Sequence, residues 1–253
     1  NDAAHSLLER GLQHIDATFT DERAYFVSEA SVYRLLRAHG LITSPAFAVM
    51  KAADEFHDKT TAPNQLWQTD FTYLKVTGWG WFYLSTILDD FSRYIIAWKL
   101  CTTMRANDVT ATIEMALEAS GLDERPRAHR PRLLSDNGSS YIADDLAKWL
   151  DDQGIGHVRG APRHPQTQGK IERWHQTLKN RILLENYYLP GDLEAQIGDF
   201  VSHYNHRRYH ESLGNLTPAD VYSGRGQTIL MKREAIKQRT FEQRRLQHAR
   251  RAA

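Results

Sequence analysis

Cysteine is almost missing from this chain: Cys101 stands alone among 253 residues. One thiol closes no internal disulfide, and it excludes the multi-cysteine zinc clusters of many nucleic-acid-binding modules. Any metal must therefore sit on carboxylates or histidines. Long apolar runs are missing too. No window approaches the roughly 18 consecutive apolar residues of a membrane span, and the opening residues lack a basic start followed by an apolar stretch. The expectation is a protein of a reducing cytoplasm with no membrane partner. No internal repeat is visible. With 41% hydrophobic and 25% charged residues, the chain has material for one substantial core and small satellites.

Net charge is also scarce, at +1. An even spread of so little charge would argue against a nucleic-acid partner, but the spread is uneven. Between Arg159 and Arg181 six basic residues face Glu172 alone, and from Arg225 onward nine face only Glu234 and Glu242. Segregated basic stretches suit a polyanion held at particular places. A solvated helix face followed by a disordered tail would read the same way.

Leu7, Leu8, Leu12 and Ile15, then Val32, Leu35 and Leu36, recur at helical spacing, so residues 1–43 read as a small helical region. Residues 27–42 have the shape of the last helix of a helix-turn-helix, with Ser28 as N-cap and Gly40 as stop; plain packing would produce the same pattern. Periodicity fades over 44–62, a linker. Three aromatic and β-branched runs, 66–76, 81–90 and 93–100, then read as a strand meander. A helix over 106–120 closed by Gly121, a strand over 130–136, a helix over 142–150 and a strand over 154–160 come next. A loop at 161–168 leads into a long helix from Gly169 to Leu184, and Asp192 opens another. This order implies an α/β fold with a mixed sheet. The domain reading is 63–223 for the core with its following helices and 224–253 for a basic tail, helical or disordered.

Three carboxylates stand out. Asp70 interrupts an apolar, aromatic strand, where its charge needs compensation; a solvent-facing or lysine-paired aspartate is the plain alternative. Asp136 ends the apolar strand RLL where the turn NGSS begins, a usual place for ligand-binding groups in α/β sheets; an Asx-turn would use the same residues. Glu172 falls in the first turn of the long helix, with His175, Gln176 and Lys179 near its face; a glutamate favoured by the helix dipole is the alternative. If the strand bearing Asp70 lies beside the one ending at Asp136, two carboxylates share a crevice, and a divalent cation is the simplest way to keep both ionised.

The segments WQTDFTYL (67–74), LLSDNGSSY (133–141) and HPQTQGKIERWHQTLKNRI (164–182) together resemble the DDE signature of retroviral integrases and bacterial insertion-sequence transposases. YNHRRYHESLGNLTPADVY (204–222) is similar to the segment after the catalytic helix in the insertion-sequence-three type. The resemblance implies an RNase H-like mixed sheet of about five strands flanked by helices, with Asp70, Asp136 and Glu172 as catalytic residues and ligands of two Mg²⁺ ions, Mn²⁺ substituting. It implies a DNA transposase that cuts transposon ends and joins a 3′-hydroxyl to target DNA, working as at least a dimer in a bacterial cytoplasm, nucleoid-associated when bound. No small-molecule cofactor is implied. Candidate DNA contacts are Arg163, His164, Gln168, Lys170, Arg173, Gln176, Lys179, Arg207 and Arg208. The rivals are an RNase H-like nuclease that does not join, and a non-catalytic repressor derived from a transposase. Retroviral integrases carry a His/Cys zinc domain before the core, which one cysteine cannot build, so the insertion-sequence branch is preferred.

Two other patterns are weaker. His203, His206 and His210 include an HxxxH spacing able to bind zinc, but interleaved Arg207 and Arg208 favour phosphate contact or a solvated face. Six tryptophans raise the question of base stacking; most belong in the core, with Trp174 the expected exception.

Overall fold

The computed structural model describes residues 15, 17–39, 59–160 and 168–252. The chain divides into two compact units, Asp54–Arg207 in one, Asn1–Ala53 with Arg208–Ala253 in the other. Helix α1 (Glu29–Ala38) begins where Ser28 predicts: its side chain accepts the Ser31 amide at 3.3 Å, satisfying an orphan donor of the first turn. Gly40, the expected stop, lies outside the described residues, as does most of the expected linker.

The unit Asp54–Arg207 is built on a five-stranded mixed sheet. Strands β1 (Leu66–Val76), β2 (Gly80–Asp89) and β3 (Ile95–Cys101) form an antiparallel meander. Helix α2 (Ala106–Ser120), strand β4 (Arg132–Ser135), helix α3 (Asp144–Gln153) and strand β5 (His157–Arg159) come after it, then helices α4 (Gly169–Ile182) and α5 (Pro190–His206). Sheet order is β3-β2-β1-β4-β5, with β4 parallel to both β1 and β5. The expected fold class is therefore observed.

Burial along β1 explains its position. Leu66 to Thr69 are buried on both faces because neighbours flank the strand there and helices cover it. Beyond Asp70 the strand alternates, Thr72, Leu74 and Val76 inward and Tyr73 and Lys75 outward. One core packs Leu74, Val76 and Leu84 against Ile171, Trp174 and Leu178 of α4 and Leu193, Ile197 and Tyr204 of α5. The other packs Trp67 and Leu133 against α2 and α3. Helix α2 stops at Gly121, whose left-handed φ of 64° suits a residue without Cβ. Strand β3 starts two residues later than the pattern predicts, because Arg93, at φ 66°, closes a turn in which Ser92 and Asn64 donate to the Asp89 carboxylate.

The tryptophan expectation needs correcting. Trp174 is fully buried, against Phe200 and Tyr204, whereas Trp79 and Trp81 at the β1–β2 turn are 62% and 54% exposed. Helical spacing put Trp174 beside basic residues; the inward stripe Ile171, Trp174, Leu178 and Ile182 decides its direction.

In the other unit, α6 (Pro218–Tyr222) is capped by Thr217, and the basic C-terminal stretch is one helix, α7 (Gly226–Ala252). It is no separate tail: the division falls after Arg207 and not at 223. Arg233 forks onto Asp21 at 2.8 and 2.7 Å, Tyr209 donates to the same carboxylate at 2.8 Å, and Thr240 accepts the Phe26 amide at 3.0 Å. Part of the basic charge is thus committed to packing. Burial alone would raise the pKa of Asp21, but the hydrogen bonds from Arg233 and Tyr209 outweigh it and hold the carboxyl below its ordinary range.

Candidate active site

Asp70 and Asp136 are set by the parallel pairing of β1 and β4. The register runs Leu66 to Arg132, Trp67 to Leu133 and Gln68 to Leu134. Carried two residues further, past the end of β4, it sets Asp136 alongside Asp70 in the middle of β1. A second observation agrees. Burial pushes the Tyr141 hydroxyl well above its ordinary range, against a hydrogen bond with Thr69, and the charges of both Asp70 and Asp136 push it further. Both carboxylates therefore lie within electrostatic reach of one hydroxyl.

Each aspartate accepts a nearby backbone amide on one oxygen. Asp70 Oδ1 accepts its neighbour's amide, Phe71 N, at 2.8 Å, and Oδ2 lies 3.4 Å from His175 Nδ1. Asp136 is exposed, and its Oδ1 accepts the Gly138 amide at 2.9 Å, an Asx-turn. The turn is thus real and does not exclude a ligand role. A Cβ at Gly138 would stand 3.0 Å from that oxygen, so the close approach depends on glycine.

Glu172 is exposed in the first turn of α4, and that turn is tied to β1. The Ile171 amide donates to Gln68 Oε1 at 3.1 Å, Gln68 Nε2 donates to Asp90 Oδ1 at 2.7 Å, and Lys170 Nζ donates to Asp90 Oδ2 at 2.7 Å. Gln68 precedes Asp70 by two residues, on the same face of the strand. His175, one turn beyond Glu172, meets Asp70 itself. Yet no three acidic, histidine or cysteine side chains among the described residues stand close enough to form a ready metal cage. The β1–β4 register puts Asp70 and Asp136 on neighbouring segments, and the His175 contact ties the helix bearing Glu172 to Asp70.

The donor set fits a hard divalent cation. Asp70 is partly exposed and Asp136 exposed, and among the described residues no lysine or arginine ion-pairs with either. Carboxylate oxygens left open to solvent are the hard donors that such a cation takes.

The expected DNA contacts divide. Arg163 and His164 lie outside the described residues. Arg173 and Gln176 are exposed on α4, and Lys179 is partly exposed there with its ammonium 4.4 Å from the Tyr73 ring. Gln168 is buried at the start of α4. The ammonium of Lys170 is occupied by Asp90; burial pulls it below its ordinary range, against the pull of that carboxylate. Arg207 caps the end of α5 in the sheet unit, and Arg208 falls in the other. That helix ends at His206, so His210 is not on it and the HxxxH spacing is not a helical pair.

Gln68 and Asp90 escaped the sequence reading. Their signal was present: a glutamine inside an apolar strand and a paired Asp at the end of another must find partners once buried.

Two family models match, both described as integrase core domain, over residues 60–165 and 153–218. Among curated relatives, the transposase for insertion sequence element IS629 of Shigella sonnei is 27% identical, the match covering 77% of this chain and 68% of the relative. The putative transposase for IS986/IS6110 of Mycobacterium tuberculosis is 28% identical over 63% of this chain and 58% of its own length. Transposase InsF for IS3A of Escherichia coli K12 is 27% identical over 72% and 60%. The chain thus spans about three fifths to two thirds of the length of these relatives. Among solved structures, the catalytic core domain of HTLV-2 integrase in complex with magnesium matches with a TM-score of 0.52 at 19% identity, covering 65% of this chain and 99% of that one. The simian T-cell lymphotropic virus intasome matches with 0.57 at 18%, covering 78% and 67%. At that identity the likeness is one of fold. Two integrase-core matches spanning more than half of the chain, on a sheet of the order described, place it in one family: the chain belongs to the integrase core family of the DDE transposase and retroviral integrase superfamily.

Proposed function

We propose that this chain is the catalytic part of a DNA transposase, cleaving phosphodiesters at transposon ends and joining the released 3′-hydroxyl to target DNA. The observation that carries the reading is the β1–β4 register, which sets Asp70 against Asp136 beside the helix bearing Glu172. The transposase relatives supply the substrate class.

In this reading Asp70, Asp136 and Glu172 hold two Mg²⁺ or Mn²⁺ ions through hard oxygen donors. Ions so held would supply activation of the attacking hydroxyl and charge stabilisation at the departing oxygen. The chain's own residues do the positioning. Gln68 holds the start of α4, the turn that bears Glu172, to β1. Gly138 leaves room for the Asp136 carboxylate. Gln176 and Lys179, at +4 and +7 from Glu172, share its helix face and would take the DNA backbone, with Arg173 and Arg207 as further phosphate contacts. Lys170 is better placed as the anchor of α4 than as a DNA contact. No protein nucleophile is needed, since water serves cleavage and the DNA 3′-end serves joining. Pairing two ends requires two such sites, so the working form is at least a dimer. None of the described helices is long and apolar enough to cross a membrane, which suits action on DNA in a bacterial cytoplasm.

Asp70→Asn, Asp136→Asn and Glu172→Gln are each expected to reduce cleavage and joining of end-bearing duplexes to background while DNA binding in a mobility-shift assay holds. Wild-type rates from any of the three in Mg²⁺ would refute the assignment. Joining of a pre-cut end separates a transposase from a nuclease that only cuts.

A further inference from the structure

The β1–β2 hairpin carries large aromatic side chains into solvent beyond the candidate active site. Tyr73 is 58% exposed, and its ring meets that of the equally open Trp81 edge to face at 5.5 Å. Core packing gives no reason for either, since the neighbouring Leu74 and Phe82 are the ones turned inward. A cation joins them: Lys179 Nζ stands 4.4 Å from the Tyr73 centroid. Lys75 faces Trp81 across the strand pair, adding a second positive charge.

This cluster is linked to the candidate active site through α4. Tyr73 lies three residues along β1 from Asp70, about 10 Å at ~3.3 Å per residue, an odd step that turns its side chain to the other face of the strand. Lys179 lies two helical turns along α4 from Glu172. Strand β4 accompanies β1 only as far as Gln68, so no strand of the sheet stands between α4 and this edge of β1 over the next residues. Helix α4 therefore runs from the turn bearing Glu172 to the aromatic pair, with Lys179 reaching the Tyr73 ring.

We propose that Tyr73 and Trp81, with Lys179, form a stacking platform for an unpaired base of the DNA strand whose phosphodiester meets Asp70 and Asp136. The proposal rests on the transposase reading. A flat ring beside an ammonium matches a nucleotide in both parts, the base on the aromatic face and the phosphate on the cation. Two lysines set against two aromatics give a surface complementary to a polyanion and repulsive towards its own copy.

The test compares the full chain with Tyr73→Ala/Trp81→Ala and with Tyr73→Phe/Trp81→Phe, by fluorescence anisotropy on two probes. Both probes are mixed-sequence duplexes of about 20 base pairs, one blunt and one ending in about three unpaired 3′-nucleotides. The alanine pair is expected to bind the tailed duplex about tenfold more weakly and the blunt duplex less than about twofold more weakly, while the phenylalanine pair keeps the wild-type preference. Both side chains are exposed, so an unchanged thermal midpoint is expected alongside. Equal effects on the two duplexes, or none, would overturn the platform. So would loss of self-association in sedimentation without any change in DNA binding, which would give the surface to a second copy of the chain. Failure of the wild type to bind either duplex would instead sink the transposase reading.

Discussion

The Asp136 carboxylate accepts the Gly138 amide while any Cβ at residue 138 would press on the same oxygen. A turn that sequence statistics explain fully by local hydrogen bonding thus also aims a carboxylate, and the two readings of DNG are one structure. Gly138→Ala is expected to shift the carboxylate by a few tenths of an ångström and raise the Mg²⁺ concentration for half-maximal cleavage about tenfold, the scale of a ligand-orienting contact. Mg²⁺ titration of end cleavage reads this directly, and a superimposable curve would show that Gly138 does not set the ligand. His175 is a different case. It was visible at +3 from Glu172, but its contact with Asp70 depends on how α4 lies on β1, which no local spacing encodes.

Helix α4 is held to the sheet through buried polar groups as well as apolar ones. Gln68, Asp90 and Lys170 join three segments far apart in the chain, and their network satisfies the Ile171 amide at the helix start. Gln68→Leu removes a partner from both the Ile171 amide and the Asp90 carboxylate, at a cost of about 1–3 kcal/mol for groups left unsatisfied. Urea unfolding should show that loss, and hydrogen exchange should show faster exchange at the start of α4 than at its C-terminal end; uniform exchange would deny Gln68 its anchoring role. Regular elements were largely legible because they obey local periodicity: β1 and α2 occur at the predicted residues, and α4 starts at Gly169. The polar network was not, because burial of Gln68 follows from β1 being central, and that is a property of strand order. For the same reason Lys170 read as one more cation of a DNA-binding run until its partner Asp90 came into place across the sheet.

The chain joins its two ends in one unit and keeps the sheet in the other. Charge counting made the C-terminal stretch look like a tail for polyanions, but Arg233 is committed to Asp21, and charge counts do not distinguish a paired arginine from an open one. Because Asp21 is held below its ordinary range in the folded state, its stabilising contribution is present above that range and is lost as pH falls through the folded value. Asp21→Asn is therefore expected to lower the unfolding midpoint of this unit at neutral pH, with the gap to wild type closing in acid; a gap independent of pH would contradict the ion pair's role. The central claim concerns the other unit, that Asp70, Asp136 and Glu172 share hard cations. Anomalous scattering from crystals soaked in Mn²⁺ tests it most directly. The account predicts manganese density bridging the carboxylates of Asp70 and Asp136 with Glu172 turned towards it, and manganese bound elsewhere on the chain but not between these aspartates would contradict it.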